Sequence, residues 1–183
     1  MRPPVLAVLL AALACGSPPA AAPPAAAATT PAAPASQRGG LYLAEAKTAR
    51  GTLEPVTVTR ANGEACVELR LAGQAVGEDC QSESAWVQAV YPPEGAAQLV
   101  LVGLSPGGNT CPEFYRVVEV PPQGQARVSE RFGNCSEFTE AAWTAAGWRI
   151  EIPAYAGGSF VHPKDPGQAW VYRDGTLARE KRP

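Results

Sequence analysis

Cys66-Val67-Glu68-Leu69-Arg70-Leu71 places Val67, Leu69 and Leu71 on one face of an extended chain and Glu68 and Arg70 on the other. Successive strand side chains point to opposite faces, so this alternation marks a β-strand with one face buried. Ala72-Gly73 then turns the chain, and upstream Val56-Thr57-Val58-Thr59 alternates toward Asn62-Gly63, a strong turn signal. The pattern recurs along the chain. Trp86 to Tyr91 is stopped by Pro92-Pro93, and Phe114 to Val120 by Pro121-Pro122-Gln123-Gly124. Arg127 to Arg131 alternates again, and Trp148 to Ile152 directs Trp148, Ile150 and Ile152 inward. Ala169 to Tyr172 meets Thr176-Leu177 across Asp174-Gly175, which suits a type I′ hairpin.

Leu99-Val100-Leu101-Val102 is apolar on both faces, which predicts a central strand covered on both sides. Residues 137–146 admit two readings. Ser136 can cap a short helix, but the hairpin spacing across Ala145-Ala146-Gly147 favours a strand paired with 148–152. Short strands at intervals of about ten residues, separated by Gly/Pro turns, predict an all-β fold. The expectation is an antiparallel sandwich or barrel of short strands, with two disulfides and little helix.

The start of the 183-residue chain has a different character. Arg2 precedes an apolar run from Val5 to Leu13, ending in Ala12-Leu13-Ala14-Cys15. A spanning helix needs about 20 apolar residues, so this run reads as a cleaved export signal over residues 1–14. Ala12-Leu13-Ala14-Cys15 resembles the lipobox of bacterial lipoproteins, although Ala12 stands where that family favours leucine. The resemblance implies that Cys15 carries a diacylglyceryl group and becomes the mature N-terminus. Gly16, in place of an aspartate, then implies sorting to the outer membrane, facing the periplasm or the surface. Without lipidation the same signal implies a soluble secreted protein.

Residues 15–38 form the expected tether. The stretch from Gly16 to Gln37 is almost entirely Ala, Pro, Ser and Thr, and prolines at 18, 19, 23, 24, 31 and 34 interrupt any helix. As an extended spacer it reaches about 70 Å. Residues 39–183 are then one domain of ordinary size. The formal net charge is -2 and no basic cluster occurs, so nothing points to nucleic acid as a partner.

Apart from Cys15, four cysteines remain: Cys66, Cys80, Cys111 and Cys135. An even count in an exported chain predicts two disulfides, and three connectivities are open. Local pairing, Cys66–Cys80 and Cys111–Cys135, brackets two hairpin-like stretches. A metal site finds little support: there is no Cys-x-x-Cys and the chain holds one histidine, His162. No cofactor motif is present.

Gly107-Gly108-Asn109-Thr110-Cys111-Pro112 and Phe132-Gly133-Asn134-Cys135-Ser136 together resemble a pattern of exported bacterial proteins without assigned activity. The resemblance covers roughly residues 97–152. Gly107, Gly108 and Asn109 suit a tight loop whose backbone N–H groups can form an anion nest, although a stapled turn is the simpler reading. Any Ser-His-Asp or Cys-His chemistry would have to use His162, which sits between prolines with no nucleophile motif nearby. Of the four tryptophans, Trp86, Trp148 and Trp170 fall in strand patterns and read as core, whereas Trp143 is the best candidate for exposure and binding. The chain therefore reads as a lipid-tethered β domain of the cell envelope that binds a protein or a glycan and is not an enzyme. An inhibitor or immunity-type protein acting on an envelope enzyme is the alternative. A hydrolase using His162 and carboxylates stands behind it.

Overall fold

Three successive antiparallel meanders build the domain. The computed structural model describes residues 37–38, 42–108, 111–155 and 167–181, within one compact unit spanning Pro31–Pro183. Cys15, the rest of the signal and tether up to residue 36, Asn109 and His162 lie outside the described residues. The first sheet has the order β2 (Ala46–Thr48), β3 (Gly51–Thr59), β4 (Ala65–Leu71), β5 (Gln74–Asp79). The second follows with β6 (Ser84–Tyr91), β7 (Leu99–Ser105), β8 (Phe114–Glu119), β9 (Arg127–Val128). The third comprises β10 (Glu140–Thr144), β11 (Gly147–Ile152), β12 (Gln168–Arg173), β13 (Thr176–Arg179). β1 (Gln37–Arg38), at the end of the tether as read from the sequence, adds to the outer edge of β10. The described residues contain no helix.

The sheets stack as layers because the middle one is apolar on both faces. Val100, Val102, Leu104 and Val118 pack with Leu53, Val67, Leu69 and Leu71 of the first sheet. Leu99, Leu101, Tyr115 and Val117 pack with Trp148, Ile150, Ile152 and Tyr172 of the third. β7 is thus the doubly covered strand that Leu99-Val100-Leu101-Val102 predicts, and β4 buries Val67, Leu69 and Leu71 as its alternation requires. Two facing layers are the expected unit of a sandwich; here two such interfaces share one sheet. An ion-pair cluster also joins the first two layers. Buried Asp79 at the end of β5 accepts from Arg116 of β8 at 3.2 Å and lies 3.8 Å from Arg131.

The turns form largely where their residues require. Ala72-Gly73 and Asp174-Gly175 adopt positive φ at both positions and close two-residue hairpins. Residues 140–144 pair with 147–151 as β10 and β11, so the strand reading of this stretch holds. Ser136 Oγ accepts from Phe138 N in a turn instead of capping a helix. Two details differ from expectation. Arg127–Arg131 is a strand only over Arg127–Val128, because Ser129 Oγ takes the N–H of Val117 at 2.8 Å and interrupts the ladder. β5 carries no apolar alternation: it is an edge strand with polar side chains and one packing residue, Val76.

Both disulfides are the local ones, Cys66–Cys80 and Cys111–Cys135. Val67 pairs with Asp79, which brings Cys66 and Cys80 opposite each other at the end of the β4–β5 hairpin. Cys111–Cys135 ties the approach to β8 to the segment entering the third sheet, where Cys135 holds a φ of 71°. Chain entropy over 24 residues makes this bridge worth about 3.5 kcal/mol. Replacing both cysteines with serine is expected to lower Tm by about 10 °C, checked by thermal circular dichroism.

Candidate functional site

The interface between the second and third layers ends in a polar group on each side. One face of β8 and its approach carries the row Glu113, Tyr115, Val117, Glu119, every second residue. Tyr115 and Val117 fill the core, so the parity that buries them also turns two carboxylates inward, one at each end.

At the Glu119 end lies a cleft of about 200 Å³ lined by Tyr91, Leu99, Glu119, Pro121, Trp143 and Tyr172, among others. Trp143 is opposite Trp148 in the β10–β11 hairpin and therefore shares its inward face. β10 has only the short β1 beyond it, so Trp143 reaches past the core and remains 39% exposed. Its ring stacks on Tyr91 with centroids 4.6 Å apart and planes 12° off parallel. Glu119 Oε2 accepts from the Tyr172 hydroxyl at 3.0 Å and from Arg127 at 3.1 Å. Burial and the bond to Glu119 raise the Tyr172 pKa, so its hydroxyl stays protonated. The result is an apolar aromatic wall with fixed polar groups at its base, the make-up of a small-ligand or peptide cleft.

At the opposite end Glu113 is fully buried, and neither carboxyl oxygen has a hydrogen-bond partner among the described residues. It lies over Gly103 of β7, where a Cβ would collide with Glu113 Oε1 and the Trp86 indole nitrogen. The nearby donors are committed elsewhere. Trp86 Nε1 donates to Gln88 Oε1 at 2.9 Å, and the Tyr115 hydroxyl to Ser136 O at 2.5 Å. Gln88 is the bulged residue of β6, which turns it inward, and its amide donates to Glu137 O and Thr139 Oγ1 at 3.4 Å each. Burial first, and the charge of Glu137 second, push Glu113 up to about 8, while Trp86 and Tyr115 partly oppose the shift. Tyr115 is also held well above its usual range by burial and by Glu113.

Of the residues singled out by sequence, Trp143 lines the first cleft. Gly107 and Gly108 adopt positive φ but do not line it. The Glu83 carboxylate lies against Gly107, on the face where a Cβ would otherwise stand, and an acid there disfavours a bound anion. Trp148 is core as expected, while Trp86 and Trp170 are half-buried and bond to Gln88 and Gln168. Glu113, Glu119, Tyr91 and Tyr42 were not legible as site residues, although parity with Tyr115 and Val117 was the available signal for the two acids. Glu64 and the sulfurs of Cys66 and Cys80 also cluster, but those sulfurs are bonded to each other and offer no thiolate. Comparison of the chain with known protein families, with curated proteins and with solved structures returned no match.

Proposed function

We propose that this chain is a cell-envelope lipoprotein, anchored through Cys15 and the Ala/Pro tether, whose β domain binds a protein or glycan in the Trp143 cleft. The observation that carries the binding reading is the Trp143–Tyr91 stack beside the Tyr172–Glu119 hydrogen bond in a single cleft. A stacked pair offers a preset apolar face, and the fixed acid and hydroxyl give it direction. Two disulfides in the described domain fit an oxidising compartment.

Two experiments test the proposal. Wild-type domain and Trp143→Ala are compared for retention on purified cell-wall glycan and for co-purification of envelope proteins. The expected result is at least tenfold weaker retention of Trp143→Ala, with stability lowered by only about 1 kcal/mol. Equal retention of both proteins overturns the cleft. A single stoichiometric enzyme partner replaces the reading with that of an inhibitor. Intact mass tests the anchor: a mature species starting at an unmodified Cys15 refutes it.

A further inference from the structure

Among the described residues, exposed Tyr42 and the segment Glu137–Thr139 border buried Glu113. Tyr42 is 56% exposed and lies on Trp86 with ring centroids 5.4 Å apart. Leu43 exchanges both backbone hydrogen bonds with Val87, the residue beside Trp86, at 3.0 and 2.8 Å. Phe138 stands between Glu137 and Thr139, the two residues that receive the Gln88 amide. A single exposed apolar side chain is ordinary on a protein surface, but Tyr42 lying on Trp86 beside a buried acid covers a polar centre with aromatic rings. Tyr42 also holds a φ of 47°, a conformation uncommon for a bulky residue, so the strap over Trp86 is not in its relaxed form.

The centre of this surface is a buried acid whose oxygens make no well-formed hydrogen bond, although the Trp86 and Tyr115 donors lie close to it. A buried carboxyl with both oxygens unpartnered costs stability that a glutamine or an apolar residue would not cost to the same extent. Gly103 supplies the room for it, so backbone and side chain are fitted around this carboxyl. Glu137 adds a negative charge beside it, and Trp86 and Tyr42 add aromatic faces. Acid together with aromatic rings is the chemistry that holds an organic cation.

We propose that Glu113, Glu137, Trp86 and Tyr42 form a recognition site for an alkylammonium group, the lysine side chain of a partner polypeptide. The ammonium enters beside Trp86 with displacement of Tyr42, whose ring lies on the indole. Glu113 releases its proton to solvent as the cation arrives, so one ion pair replaces one neutral acid. The charged and titratable groups facing Glu113 among the described residues are Glu137, Tyr42 and Tyr115. Neither tyrosine ionises near neutrality, because burial and the nearby acids raise both.

The probe is n-butylammonium chloride, with n-butanol as the uncharged control, and the readout is the Trp86 indole N–H resonance. Saturable shifts are expected with butylammonium only, and affinity is expected to rise at least several-fold between pH 6 and pH 9 as the proton becomes easier to release. Glu113→Gln, which keeps size and loses charge, is expected to weaken binding at least tenfold and to remove the pH dependence. Glu137→Gln, at an exposed position, is expected to weaken it several-fold with the fold untouched. A lysine peptide and its Nε-acetylated form are then compared, and only the free ammonium is expected to bind. Equal response to butylammonium and butanol, unchanged affinity in Glu113→Gln, or no response of a folded wild type overturns the site. These outcomes leave the Trp143 cleft untouched, since it lies at the other end of β7, about 13 Å away along the strand.

Discussion

Glu113→Gln is expected to flatten the pH dependence of stability. The ordinary value for a glutamate here is 4.5, and the folded protein holds Glu113 at about 8. Below 4.5 both folded and unfolded chains carry the proton, and the neutral carboxyl is buried at its lowest cost. Between these values the unfolded chain has lost its proton while the folded chain keeps it, so stability falls as pH rises. Each pH unit removes about 1.4 kcal/mol, and the whole window removes on the order of 5 kcal/mol. Above about 8 the folded protein also ionises and the loss is complete. Denaturant unfolding at pH 5, 7 and 9 checks this. Wild type should weaken steadily, while Glu113→Gln should change little and be the more stable protein at pH 9. Parallel profiles for the two proteins would show that the carboxyl is solvated in solution, and would remove the basis for the linkage.

The second large effect is expected at Trp148. It is 1% exposed at the centre of the interface between the second and third layers, among Leu101, Tyr115, Ile150 and Tyr172. Trp148→Ala leaves a cavity that three strands of a stiff sheet cannot close, and should cost about 3–5 kcal/mol. For a domain of this size that lowers Tm by about 10–15 °C, measured by calorimetry. Its hairpin partner gives the comparison. Trp143 points to the same face of the same sheet, yet its substitution should cost about 1 kcal/mol, because solvent already reaches it. Similar losses for both would contradict the burial that separates them.

Much of the fold was legible because alternation reports burial directly. Val67, Leu69 and Leu71 predicted an inward face for β4, and the double-sided run at Leu99–Val102 predicted that β7 is covered twice. The Ala-Gly and Asp-Gly turns were legible because positive φ at successive positions restricts residue choice. The cysteine pairing followed from locality, and the hairpin register brings each Cys66–Cys80 partner opposite the other. β5 was not legible, since an edge strand can be polar on both faces and still complete a ladder. Neither was the end of β9, where one hydroxyl substitutes for a backbone acceptor.

The sites divide differently. Trp143 stood out because it falls beside a turn, where an aromatic has fewer neighbours to cover it. Glu119 and Glu113 read as ordinary acids near the two ends of a strand, and the parity that turns them inward becomes informative only once the neighbouring layer is known. The β6 bulge at Gln88, the meeting of Tyr42 with Trp86, and the bonds from Gln88 to Glu137 and Thr139 join segments far apart in sequence. By itself the sequence determined the strands, most of their turns, their inward faces and the local cross-links, since these depend on residues within one hairpin. The stacking of three meanders, and with it the two inward acids at opposite ends of one interface, was decided by tertiary structure. Which face meets which is a matter of complementary surfaces between sheets, and no local pattern encodes it.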